Sequence, residues 1–334
     1  MLDEAIVDEL VEANASIPDR SRRPVLRAQH PKHHGAVRAR FTVLDEVPQE
    51  LRHGLFARAA GYDALIRFSN GQSLDDRKPD AHGMAIKVFD VHGNHIGEAQ
   101  ATNRPVDFVL VDHQTYFTRT MAEYLAFNAQ FSKLAAWRRK PKLEPAALLR
   151  LLHVIGGGLS LVLFHRNVLA RAFKFASATP ASPLASRYWS TTPYRLGAQG
   201  EEGMVVHYAA IPAIAPDNGG VAAPDGLSEV LRTHLREGIA AFSFGVALQP
   251  DRRRFPIDDP TRDWHEDPAN FVPLARIEIP RQDIGADPTQ DSEVEGASFT
   301  PWNTLEEHRP LGEINEARRK IYAKLSELRQ DQSG

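Results

Sequence analysis

Four stretches in the first third of the chain alternate apolar with polar residues, which is the period expected of half-buried β-strands. In the clearest of them, Val37, Ala39 and Phe41 alternate with two arginines and a threonine. The tripeptide His-Gly-Asn at 92–94 separates the third stretch from the fourth, and such a turn is typical of antiparallel neighbours. The predicted strands are Ala36–Leu44, Ala64–Ser69, Met84–Val91 and Val106–Val111.

A block rich in Leu, Ala, Lys and Arg over 121–174 predicts helices, after which strands resume. The later predicted strands are Val205–Ile211, Phe242–Leu248 and Ala275–Ile279, and the later predicted helices are Leu227–Glu237 and Asn315–Leu328. Because strands do not alternate regularly with crossover helices, we expect an α+β fold with a closed or strongly coiled antiparallel sheet. The expected organisation is one domain over 1–334, with a helical insertion at about 114–190.

Composition excludes several kinds of chemistry. The 334 residues are 42% hydrophobic and 25% charged, enough to bury a substantial core. A net charge of -3 offers no general attraction to phosphate backbones, so we do not expect a nucleic-acid partner. Because the chain has no cysteine, disulfides, thiolate nucleophiles, iron–sulfur clusters and covalent c-type haem attachment are excluded.

The first ten residues mix carboxylates with apolar side chains and lack the regions of a secretory signal, so we expect a cytoplasmic protein. The most apolar stretch, 146–164, is interrupted by Arg150, His153 and three glycines. It therefore falls short of the ~20 clean apolar residues of a spanning helix. We predict two buried or amphipathic helices there and no stable membrane insertion.

Histidines cluster in the run His30–His34. On a helix, the spacing i, i+3, i+4 would place three imidazoles on one face and create a metal site. Pro31 and the strand that follows argue against that helix, so polar surface histidines before a strand are the competing interpretation.

The last predicted helix carries Arg318, Tyr322 and Arg329 on one face. A guanidinium close to a phenol favours the phenolate, lowers the pKa of the tyrosine and makes its oxygen a ligand suited to ferric iron. The alternative is a terminal amphipathic helix with a half-buried tyrosine and solvated arginines.

In the strand around Phe68, Arg67 and Ser69 share one face. We expect Arg67 to face the interior of a barrel, where it would need an anion. Together with the histidine run and the other arginines, this suits a pocket for a dianionic cofactor such as haem.

In this order, the segments resemble the catalases, and more closely the small catalase-like haem peroxidases that keep only the core domain. The first segments resemble the family's Arg-x-x-His-x-Lys, Val-Arg-Phe-Ser and Asp-Pro-Arg-Gly-Phe-Ala-Val-Lys motifs, and the last resemble its Phe-x-Pro-x-Asn element and the run into its proximal helix. The matching segments are Arg27–Lys32, Ile66–Ser69, Asp80–Lys87, Phe299–Asn303, His308–Gly312, Arg318–Tyr322 and Arg329.

The resemblance implies a closed antiparallel barrel that carries haem b. His30 would be the distal acid and base above the iron, Ser69 would hydrogen-bond it, and Tyr322 would bind the iron from below as a tyrosinate kept ionised by Arg318. The propionate-binding arginines would be Arg27, Arg67 and Arg329. We expect no flavodoxin-like C-terminal domain, and the resemblance to small members implies a homodimer.

Several positions depart from the family pattern. Thr102 stands where the family has its distal asparagine, so Asn103 serves only if the strand shifts by one residue. Asp107 replaces a phenylalanine beside the haem, and the segment from His30 to Phe41 is one residue longer. Phe117 is the candidate apolar residue beside the distal pocket.

The implied function is a haem peroxidase that reduces hydrogen peroxide or organic hydroperoxides with an electron donor, with weak catalase activity. Two alternatives stay open. One is rearrangement or dehydration of fatty-acid hydroperoxides, as in the catalase-like allene oxide synthases, with 146–164 lining an acyl channel. The other is a haem-binding or storage protein without turnover.

Overall fold

The computed structural model describes residues 4–15, 26–96, 103–129, 166–198, 203–214, 223–285, 294 and 296–330. The strands are β1 (His33–Val43), β2 (Gly61–Asn70), β3 (His82–His92), β4 (Asn103–Val111), β5 (Tyr188–Trp189), β6 (Tyr194–Leu196), β7 (Met204–Ile214), β8 (Ala240–Leu248) and β9 (Phe271–Ile279). The helices are α1 (Glu4–Ala15), α2 (121–129), α3 (Arg166–Phe175), α4 (Gly226–Glu237) and α5 (Glu313–Gln330).

Eight of these strands close into an antiparallel barrel, which confirms the predicted α+β class and closed sheet. The order runs from β5 through β4, β3, β2, β1, β9 and β8 to β7, and β6 extends the sheet beside β7. Closure depends on β5, because Trp189 pairs with Val111 of β4 on one side and with Ala209 of β7 on the other.

The barrel interior is the main hydrophobic core. In β1, Val37 and Phe41 are fully buried, while Arg38 and Arg40, which lie between them in the chain, are exposed. The alternation therefore reflects a strand with one face inside the barrel. Phe244 reaches the centre of an aromatic cluster, with ring centroids 5.2 Å from Phe41 and 4.7 Å from Phe108. Aromatic pairs at such separations add to the stabilisation from burial alone.

A bulge in β1 accommodates one additional residue. His33 pairs with Ser69 and Gly35 pairs with Phe68, so two residues of β1 oppose a single step of β2. Gly35 has a φ of 140°, which favours glycine, and a Cβ there would lie 2.6 Å from the Ile284 side chain. The segment that is one residue longer than the family pattern therefore contains the bulge.

Three helices pack against one another outside the barrel. Their shared apolar cluster joins α1, α2 and α5, because Ile314, Ala317 and Ile321 recur on one face of α5. The other buried members are Val7, Leu10, Met121 and Tyr124.

The observed elements differ from the predicted ones mainly by two strands that are too short to leave a periodic pattern in the sequence. The strands β5 and β6 have two and three residues, and were not predicted. The predicted helical block contains α2 and α3, but 130–165, including the apolar stretch 146–164, lies outside the described residues. No helix in the described part of the chain is long and apolar enough to cross a membrane.

Candidate functional site

A cavity of about 700 Å³ lies against the outer face of the barrel. This volume is within the usual range for small-molecule sites. Strands β2 to β4 form one side of the cavity, and the segment 26–30, the region 116–128 and α5 form the others. The lining residues include Arg27, Gln29, His30, Arg67, Ser69, Gly83, Tyr116, Phe117, Tyr124, Asn128, Arg318 and Tyr322.

His30 is fixed at three points. Its backbone N–H donates to the Gly71 carbonyl at 2.8 Å, and its own carbonyl accepts from Arg67 Nη2 at 2.9 Å. The imidazole Nδ1 lies 3.0 Å from Ser69 Oγ. These contacts hold a residue whose φ is 56°, in the left-handed region that non-glycine residues seldom adopt.

The imidazole of His30 is kept neutral by its surroundings. Burial lowers its pKa to about 3, and the positive charges of Arg67 and Arg27 act in the same direction. A Cβ at Gly83 would lie 2.7 Å from Nδ1, so only glycine leaves room for the ring there. The result is a neutral, rigidly placed imidazole in the cavity wall.

Arg67 lies on the outer face of the barrel, and the expectation that it faces the interior was wrong. Its neighbours Ile66 and Phe68 belong to the barrel core, and strand alternation places Arg67 and Ser69 on the opposite side. Arg67 is nevertheless only 3% exposed, and its guanidinium contacts segment 26–30 through the His30 carbonyl.

Arg27 supplies a second guanidinium to the lining of the cavity. Its Nη2 donates to the carbonyls of Val294 and Ala297 at 3.0 Å each, and the guanidinium lies over the ring of Phe299 at 5.9 Å. These contacts attach segment 26–30 to residues 294, 297 and 299.

On α5, Arg318 and Tyr322 meet as their spacing predicts. Arg318 Nη2 donates to Tyr322 Oη at 3.3 Å, and Nη1 donates to Thr192 Oγ1 at 3.0 Å and to Asn315 Oδ1 at 3.1 Å. Burial opposes the charge of Arg318, but the phenol oxygens of Tyr322 and Tyr194 raise the pKa of this guanidinium further above its ordinary value. Tyr322 thus has a permanent positive charge beside its oxygen.

The histidine run does not form a helical metal site. His33 begins β1, and His34 turns away to bond Asn70 Oδ1 through Nε2 at 2.9 Å. Among the described residues, no three histidine, aspartate or glutamate side chains are placed to share a metal ion.

Comparison of the structure with solved structures identifies the fold. Catalase A from Saccharomyces cerevisiae superposes with a TM-score of 0.63 over 91% of this chain and 61% of its own, at 16% identity. A fungal catalase gives 0.62 over 91% and 59%, at 15% identity, and a bacterial catalase gives 0.57 over 98% and 60%, at 14% identity. The chain has the catalase fold. It spans about 60% of the length of these catalases, and its sequence matches no family model and no curated protein.

Within this catalase fold, the structure does not bring every predicted site residue to the cavity. Phe117 lines it, and its ring lies 4.8 Å from that of Phe127. Asn103 begins β4 and pairs with His92, whereas the end of β4 beside His30 is Val111, which pairs with Gly83. Val111 is eight residue steps along the strand from Asn103, or roughly 26 Å, so the register argues against Asn103 as a partner of His30.

Arg329 lies near the end of α5, seven residues after Tyr322, and its side chain is outside the described part. Its role toward a propionate stays a prediction. Asp107, which departs from the family pattern, is fully buried and bonds Lys87 Nζ at 2.6 Å. Burial raises the pKa of this carboxyl although Lys87 opposes the shift.

Two polar groups at the cavity were not among the site residues predicted from the sequence. Gln29 lies next to His30, and Tyr116 is a half-buried residue whose phenol pKa is raised well above 10 by burial and by Tyr124. A glutamine and a tyrosine carry no motif by themselves, and the only available signal was their nearness to the histidine and to Phe117.

The residues present fit the haem that the sequence resemblance implies. A phenol oxygen beside a permanent guanidinium charge suits a hard ferric ion, and it lies in the same cavity as the neutral imidazole of His30. Arg27 and Arg67 supply positive charge for two carboxylates, and Phe117 supplies an apolar wall. Tyr322 would hold the iron, and the two arginines would hold the propionates.

Proposed function

We propose that the protein is a haem b-dependent peroxidase that reduces hydrogen peroxide or organic hydroperoxides at the expense of an electron donor, with weak catalase activity. One observation carries the proposal. The cavity contains both a neutral histidine fixed at three points and a tyrosine with a guanidinium 3.3 Å from its oxygen.

The reaction needs a proton to move between the two peroxide oxygens. With Nδ1–H donated to Ser69 Oγ, Nε2 of His30 accepts a proton from the peroxide and returns it to the departing oxygen, which leaves as water rather than hydroxide. The low pKa of about 3 keeps His30 in the accepting form across the neutral range. General acid–base catalysis of this kind contributes about 10²- to 10⁴-fold.

Haem, when bound, supplies the redox chemistry that breaks the O–O bond. The overall balance for a two-electron donor AH₂ is H₂O₂ + AH₂ → 2 H₂O + A, so the two electrons and two hydrogens come from the donor. Arg318 keeps a permanent positive charge 3.3 Å from Tyr322 Oη, the oxygen that would bind the iron. The partners under this proposal are a peroxide and a donor, and the homodimer stays a prediction.

The test is a stopped-flow series on the full chain loaded with haem. Protein is mixed with H₂O₂ while the Soret band is followed, first without a phenolic donor and then with one. We expect a Soret change that persists until the donor arrives, together with oxidation of the donor. A protein that binds haem but shows neither change would be a haem-binding protein, and the proposal would be wrong.

A further inference from the structure

Gln29 shares the cavity with His30, although the two residues are adjacent in the chain. In a regular strand, adjacent side chains point to opposite sides. The left-handed φ of 56° at His30 breaks that alternation. The turn therefore places an amide and an imidazole in the same wall.

The amide of Gln29 is held in one orientation. Its Nε2 donates to Asn14 Oδ1 at 3.0 Å and to Tyr124 Oη at 3.3 Å. Asn14 is fully buried on α1, and its own Nδ2 donates to the Leu10 carbonyl at 2.9 Å. Because Asn14 must therefore present its oxygen, Gln29 presents its nitrogen to the helices, and its carbonyl Oε1 is the end that can accept from a ligand.

Other amides are less suited to work with His30. Asn103 lies at the far end of β4 from the residue that pairs with Gly83. Asn128 lines the cavity, but its Nδ2 donates to the Tyr124 carbonyl within its own helix at 2.9 Å. Gln29 is directly next to the histidine and is fixed by two elements, α1 and α2.

We propose that Gln29 selects hydrogen peroxide over organic hydroperoxides, an inference that rests on the proposed function. Hydrogen peroxide has two O–H groups, one on each oxygen. One donates to His30 Nε2, and the other donates to Gln29 Oε1. An alkyl hydroperoxide has a single O–H, which donates to His30. When it binds, the Gln29 carbonyl loses its hydrogen bonds to water and gains no donor from the substrate. A site built to bond a substrate hydroxyl discriminates against analogues that lack it.

The experiment compares two peroxides on the haem-loaded full chain and its Gln29→Leu variant, since leucine is similar in size to glutamine but cannot accept a hydrogen bond. We expect kcat/KM for H₂O₂ to fall roughly tenfold, the usual scale of one hydrogen bond, and that for tert-butyl hydroperoxide to change by less than about twofold. Cyanide enters as an acid with one hydrogen, which goes to His30 and leaves none for Gln29. Its affinity for the variant should therefore stay within about twofold of the wild-type value, which would confirm that haem and His30 are intact.

Tyr124→Phe is the second variant. It leaves Gln29 in place and removes one of the two acceptors that orient its amide. We expect the same shift in peroxide preference but smaller, about threefold. This variant also carries the test if Gln29→Leu fails to fold.

Three results would overturn the inference. An equal fall for both peroxides would show that Gln29 acts only on the structure, and no change for either would show that it is not in contact with substrate. A shift in preference produced by Asn128→Leu instead would assign the role to that amide. All three leave the proposed function standing, whereas a wild-type protein that loads haem and consumes neither peroxide would contradict both.

Discussion

The two faces of β2 show how one strand serves both stability and the candidate site. Ile66 and Phe68 point into the barrel and are fully buried among other apolar side chains. Arg67 and Ser69 point outward, are equally buried, and contact the backbone and the ring of His30. The inner face is filled by side chains, so a bound group has space only against the outer face. The position of the cavity follows from the packing of the core.

The histidines His308 and His30 sharpen this comparison. Burial lowers the pKa of both His308 and His30 to about 3. His308 lies among core aromatic rings and uses both nitrogens, with Nε2 accepting from the Leu55 N–H at 2.9 Å and Nδ1 3.0 Å from Tyr208 Oη. His30 has Nδ1 at Ser69 and lines the cavity. The same shift therefore accompanies a structural histidine in one region and a proposed proton carrier in the other.

The largest expected effect is on peroxide consumption, and it should distinguish His30 from His34, a buried histidine four residues later in the chain. His30→Ala should reduce peroxide consumption by about 10²- to 10⁴-fold while haem is still bound, because the proton carrier is gone. His34→Gln keeps a donor for Asn70 Oδ1 and should change turnover by less than about threefold. Steady-state peroxide consumption at equal haem occupancy measures both, and equal losses in the two variants would refute the division of roles.

Substitutions of adjacent residues on the two faces of β2 should lower different quantities. A substitution on the inner face should mainly lower stability, and one on the outer face should mainly lower turnover. Phe68→Ala leaves a cavity in the barrel and should cost about 3–5 kcal/mol of unfolding free energy. Ser69→Ala removes the Nδ1 partner of His30 and should lower turnover by about fivefold, with a stability cost near 1 kcal/mol. Urea unfolding and peroxide kinetics on both variants make the comparison, and a Ser69 variant as unstable as the Phe68 variant would contradict it.

Acid should destabilise the barrel through His308. Its pKa is 6.5 when unfolded and about 3 when folded, so only the unfolded chain gains a proton as pH falls through that window. Stability is therefore unaffected above pH 6.5 and declines below it, at about 1.4 kcal/mol per pH unit. Urea midpoints between pH 7 and 4 should fall more gently for His308→Gln than for the wild type, and parallel slopes would contradict this assignment.

Structural features that depend on neighbouring residues within one strand or helix could be predicted from the sequence. The alternation in β1 to β4 and the apolar spacing of α5 predicted the elements, because burial of one face leaves a regular period. The meeting of Arg318 with Tyr322 was also predictable, since both lie on one helix. Alternation does not show which face is inside, so the side of the barrel that Arg67 occupies was assigned wrongly.

Contacts between distant segments could not be predicted. The position of Asn103 depends on the register of β3 with β4, and the role of Gln29 depends on a buried asparagine on α1. Strands as short as β5 leave no period to detect, although β5 closes the barrel.

A haem titration of the apoprotein tests most directly whether the cavity holds haem through Tyr322. Tyr322→Phe is compared with the wild type and with Tyr116→Phe. The second variant removes from the same cavity a phenol that stays protonated at neutral pH. The account predicts that Tyr322→Phe weakens haem binding by at least about tenfold and shifts the Soret band, since an iron ligand is lost. Tyr116→Phe should resemble the wild type. Equal haem affinity and identical spectra for Tyr322→Phe and the wild type would contradict the account.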